Sequence, residues 1–77
     1  MKTHIKLIFN SEGERPSEIT DVLHGLGFEP QTGEYDMVYD WEGDAEVKDA
    51  IWFADKIHSA LEGYDVLYSI ETDTIEE

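Results

Sequence analysis

The side chains with chemical potential in this chain are mostly carboxylates. Between residues 34 and 49, seven fall in sixteen positions: Glu34, Asp36, Asp40, Glu42, Asp44, Glu46 and Asp49, with Lys48 the only cation among them. Carboxylates converging on a turn suit hard cations, and Ca²⁺ accepts oxygen ligands in flexible geometry while a glycine permits the bend. Asp36, Asp40, Glu42, Asp44, Glu46 and Asp49 around Gly43 are therefore a candidate site for Ca²⁺ or another divalent cation, with no cofactor required. It is not an EF-hand. Aligning Gly43 with that loop's glycine puts Val38 at the first ligand position and Asp49 where a bidentate Glu belongs, and the preceding segment reads as a strand. The simpler alternative is a solvated acidic surface in which Asp44 caps a helix and Glu46 favours its N-terminal dipole.

Asp55, His58 and Glu62 share a second possible grouping, at helical spacing on one face. One imidazole flanked by carboxylates can hold Zn²⁺, whereas the bland reading is a half-buried His58 bonded to Glu62. Nucleophilic catalysis has nothing to work with: there is no Cys, and no Ser sits in a nucleophile-elbow pattern. The loop Asn10-Ser11-Glu12-Gly13-Glu14-Arg15 stands where a phosphate cradle would, but its two acids repel phosphate. The abundant carboxylates read as exposed, without the burial that raises a general acid's pKa. The expectation is a protein that binds and does not catalyse.

Charge sets the terms of that binding. The chain has 19 Asp and Glu against 5 Lys and Arg, a net of −14 on 77 residues. Such a density of one sign opposes compaction and must be offset by salt, cations or a basic partner. Nucleic-acid backbones and anionic membranes would repel the chain, and no apolar run approaches a membrane span. The absence of Cys removes disulfides and thiolate sites. Together with an N-terminus lacking the apolar run of a signal peptide, it points to the cytoplasm. Adaptation to a high-salt cytoplasm would also explain an acidic surface, but seven Ile and nine aromatic residues do not suggest a weakened core.

The elements that must hold these side chains follow from periodicity. Thr3 to Phe9 alternates, with Ile5, Leu7 and Phe9 on one side and His4, Lys6 and Ile8 on the other, as in a strand. Pro16 opens a helix whose stripe is Ile19, Val22, Leu23 and Leu26, ending at Gly27. Phe28 to Gln31 reads as a short strand, confined to an edge by Pro30. Tyr35, Met37, Tyr39 and Trp41 alternate against Asp36, Val38 and Asp40, giving another strand. A second helix runs from about Ala45 to Glu62, with Val47, Ala50, Ile51, Ala54, Ile57 and Leu61 on its core face. Val66, Tyr68 and Ile70 define a last strand, before an acidic tail. The order is that of a single α+β domain over residues 1–72, a two-layer βαββαβ sandwich of ferredoxin-like type or a close variant with one short strand, followed by a tail over 73–77.

Two surfaces could receive a protein. Trp52 faces away from the core stripe beside Lys48, Lys56 and Ser59, with Phe53 at the stripe's edge. Interfaces are enriched in Trp, although Trp52 lying under the lysine stems in cation–π contact is the simpler alternative. The sheet's open face offers Ile8, Val38 and Leu67 in a polar frame, which a second copy could cover. Trp52, Phe53, Ile8, Val38 and Leu67 are thus the candidate contact residues, for a basic protein partner or a homodimer. In composition and element order the whole chain resembles small acidic α+β proteins of archaea without an assigned function. No residue motif carries that resemblance, so it implies no functional residues.

Overall fold

The computed structural model describes residues 1–43 and 45–73. Six elements follow in the order β1 (Lys2–Phe9), α1 (Pro16–Gly25), β2 (Glu29–Pro30), β3 (Met37–Asp40), α2 (Val47–Leu61) and β4 (Val66–Asp73). The strands make one antiparallel sheet in the order β2-β3-β1-β4. The chain is an α+β fold with both helices contributing buried residues to one core.

Register explains which residues that core receives. Ile5 lies opposite Met37 on one side and Ile70 on the other, and Leu7 lies opposite Tyr68. Side chains alternate along a strand, so Thr3, Ile5 and Leu7 share the inner face. They join Ile19, Leu23, Phe28, Met37, Phe53, Ile57 and Leu61 out of water. Thr3 is the one buried polar side chain among the described residues; its hydroxyl accepts from the Trp41 indole N–H at 2.8 Å and hydrogen-bonds the Thr72 hydroxyl at 3.0 Å. Phe9, expected on the inner face, is exposed at the end of β1.

Both helices are closed by local chemistry. Pro16 opens α1, and the Glu18 carboxylate accepts the Arg15 N–H at 3.1 Å. The corresponding device on α2 uses Glu46 as N-cap, whose N–H donates to the Asp49 carboxylate at 2.8 Å. This moves the helix start two residues past the expected Ala45. After α1, Gly27 turns the chain with φ of 108°, and a Cβ there would stand 2.7 Å from Cε1 of Tyr39. Only glycine meets both demands.

Three further expectations need correction. The core face of α2 is rotated toward Phe53: Val47 and Ile51 are exposed, while Ala50, Phe53, Ala54, Ile57 and Leu61 turn inward. The cause is aromatic packing. Phe53 stacks on Phe28 at 5.6 Å between ring centroids and also meets Tyr39 at 4.5 Å and Trp41 at 5.3 Å. Placing one large ring in such a cluster outweighs covering two aliphatic side chains at the helix's first turns. Tyr35 is also displaced. Its segment leaves the ladder where Asp36 donates its N–H to the Ile5 carbonyl and accepts the Leu7 N–H, and alternation ends there. Tyr35 therefore falls on the open face of the sheet beside His4. Finally, Asp73 closes β4 instead of starting a tail; positions 74–77 lie outside the described residues.

Candidate functional site

The acidic run is distributed among separate structural duties. The Asp36 carboxylate accepts the Leu7 N–H at 2.7 Å, so it caps the part of β1 that β3 leaves unpaired. Asp40 ends β3 opposite Lys2, and Glu42 is exposed in the following loop. Glu46 stands 3.7 Å from Lys48, and Asp49 holds the first turn of α2. The candidate ligand and cap Asp44 lies outside the described residues. The structure brings Glu46 and Asp49 together through helix capping. Among the described residues, no three His, Asp or Glu side chains gather as a metal would require. His58 is exposed, not half-buried as its place beside the apolar stripe suggests.

The partner-contact residues divide differently. Phe53 is unavailable, being 4% exposed inside the aromatic cluster. Trp52 is 59% exposed, with Lys56 Nζ 5.2 Å from its ring centroid. The rotation of α2 adds two neighbours that sequence reasoning assigned to the core: Val47 at 69% and Ile51 at 59% exposed. Val47 and Ile51 are one helical turn apart and share a face, whereas Trp52 stands about 100° further round the helix beside Lys56, so the first turns of α2 expose three large apolar side chains over two neighbouring faces. The signal that could have found it is Phe53 itself, a ring too large for the edge of a core stripe.

On the open sheet face, Ile8 and Leu67 lie directly opposite one another across β1 and β4, 59% and 69% exposed. Val38 is half-buried opposite His4. Beside them runs a polar chain absent from the sequence reading. Gln31 Oε1 lies 3.1 Å from His4 Nδ1, the His4 ring packs on Tyr35 at 4.9 Å, and the Tyr35 hydroxyl donates to Glu71. That hydrogen bond, followed by desolvation and by the charges of Glu71 and Glu34, raises the Tyr35 phenol above its ordinary 10.0. No spacing rule links residues 4, 31, 35 and 71; only the antiparallel register does.

No known protein family, curated protein or solved structure matches this chain. Its surface is therefore the guide to what it binds. No helix among the described residues is long and apolar enough to cross a membrane. The exposed apolar side chains of α2 and the Ile8–Leu67 pair stand out against a chain of net charge −14.

Proposed function

We propose that this chain is a small, non-catalytic cytoplasmic module that binds a basic protein partner, with the exposed side chains of Val47, Ile51 and Trp52 as its apolar contacts. The observation that carries this reading is the exposure of those three side chains on α2 while Phe53, beside them in sequence, is buried. The strand order β2-β3-β1-β4 further supports a ferredoxin-like scaffold, which would hold α2 rigidly.

Fully burying a large apolar side chain contributes about 1.5–3 kcal/mol. Covering three that are more than half exposed would add about 3–5 kcal/mol. A micromolar complex needs about 8 kcal/mol, so the remainder must come from other contacts, among them charge pairs. Opposite charge on the partner would also speed encounter and make binding salt-sensitive. The two lysines of α2 do little to reverse the field: Lys48 lies near Glu46 and Lys56 lies over Trp52. Trp52 would be the central anchor, since buried Trp at an interface commonly dominates its energy.

The test is affinity capture at about 50 mM and about 500 mM salt, with the wild-type chain and an Ile51→Ser/Trp52→Ser variant. A basic protein held by the wild type at low salt, released at high salt and not held by the variant is the expected result. Identical capture by both chains would overturn the reading.

A further inference from the structure

The two edges of the sheet are treated very differently. One edge is β2, only two residues long and containing Pro30, which blocks further strand pairing. The other is β4, eight residues from Val66 to Asp73 with no proline. Among the described residues β4 pairs with β1 alone, so its outer row of backbone N–H and C=O groups faces away from the sheet. Val66 to Ile70 is uncharged and rich in strand-forming side chains. An edge of that kind readily templates another strand.

We infer that β4 is a docking edge for an extended basic segment of a partner protein, added to the sheet as a fifth strand. Main-chain hydrogen bonds would supply affinity and alternate side chains specificity. The charge of that segment rests on the basic-partner reading above; the edge itself is independent of α2. The side chains of β4 specify what it would carry. On the open face, Leu67 lies beside Ile8 at one end, while Glu71 makes the other end acidic, with Ser69 between. On the inner face Val66, Tyr68 and Ile70 are half-buried and pack against the core. An antiparallel segment, as everywhere else in this sheet, would therefore carry Lys or Arg near its start, opposite Glu71, and end on a large aliphatic residue. Its other face would be apolar beside Tyr68 and Ile70. A second copy of the chain fits less well, because it would bring another net −14 to the contact.

The probe is a synthetic peptide reading Lys-Val-Lys-Val-Thr-Tyr-Ile, with both ends blocked. Two further versions carry backbone N-methyl groups, each on one of the two alternating sets of residues. Binding is followed by amide chemical shifts and by hydrogen exchange of the ¹⁵N-labelled full chain. The expected result is binding that protects alternate amides of β4 and shifts Ile8. One N-methyl version should lose at least about tenfold in affinity and the other should keep it. Leu67→Ser and Glu71→Lys, both at exposed positions, should each weaken binding by about threefold or more.

Failure to bind, or equal binding by both N-methyl versions, overturns the edge assignment. Shifts at Val47, Ile51 and Trp52 with β4 unmoved overturn it too, yet leave the basic-partner reading standing. Protection of β4 that grows with protein concentration and without peptide would make a second copy the occupant, and would also overturn the proposal.

Discussion

Exchanging Phe53 and Ile51 in turn for alanine tests which face of α2 builds the core. Phe53 is 4% exposed and packs on Phe28, Tyr39 and Trp41, while Ile51 is 59% exposed. Truncating a buried Phe costs about 3–5 kcal/mol, because lost transfer energy adds to the cavity left behind. A chain of 77 residues has roughly 4–12 kcal/mol of total stability, so Phe53→Ala removes a large fraction of it. Ile51→Ala should change stability by only about 0.5 kcal/mol, as for other surface positions. Urea unfolding followed by circular dichroism reads both. With a slope near 1 kcal/mol per molar for a small domain, the midpoint should fall by about 3–5 M for Phe53→Ala and by about 0.5 M for Ile51→Ala. Phe53→Leu, costing about 1.5 kcal/mol or less, keeps the comparison measurable if the alanine variant does not fold. An Ile51→Ala loss equal to or larger than that of Phe53→Ala would refute the packing described here and restore Val47 and Ile51 to the core.

Gly27→Ala should destabilise the fold by about 1–3 kcal/mol, and by more than Gly33→Ala. Both glycines have positive φ, but only at Gly27 would the new Cβ meet the Tyr39 ring; thermal unfolding of the two variants isolates that clash. The Tyr35 phenol should titrate above 10.0, and Glu71→Ala should lower its midpoint, as read by tyrosinate absorbance. Since the folded value is raised, the protonated phenol favours folding below pH 10, and that contribution is lost as pH rises through the raised value. Adding KCl to about 1 M should raise the thermal midpoint by screening the net charge of −14; an unchanged or lowered midpoint would mean that self-repulsion does not limit stability.

Much of the framework was legible from alternation and spacing. Ile5 and Leu7 in β1, Ile19 and Leu23 in α1, and Tyr68 and Ile70 in β4 face as their patterns indicate. Pro30 correctly marked a short edge strand. Helix orientation was not legible, because Val47, Ile51 and Phe53 all lie within reach of one apolar arc. Which of them is buried depends on Phe28, Tyr39 and Trp41, residues from elsewhere in the chain. Tyr35 escaped for a related reason. Alternation places it with Met37, but Asp36 turns its carboxylate to the Leu7 N–H and breaks the period. The start of α2 moved because Asp49 reaches back to the Glu46 N–H, a reciprocal contact that a single cap residue does not announce. Of the two candidate surfaces, Trp52, Ile8 and Leu67 were found from the pattern; Val47 and Ile51 became visible only with the packing.

The most direct test of the central claim is a ¹H–¹⁵N titration of the chain with the basic partner recovered by capture, run beside a titration with Ca²⁺. The two indole N–H signals serve as reporters, one from Trp52 on the surface and one from Trp41, which donates to Thr3. We expect the partner to shift the Trp52 indole and the amides of Val47 and Ile51 saturably, with the effect weakened by salt and not reproduced by Ca²⁺. A Trp52 indole and Val47 and Ile51 amides unmoved by the partner, or the same shifts produced by Ca²⁺ alone and persisting in high KCl, would contradict the account.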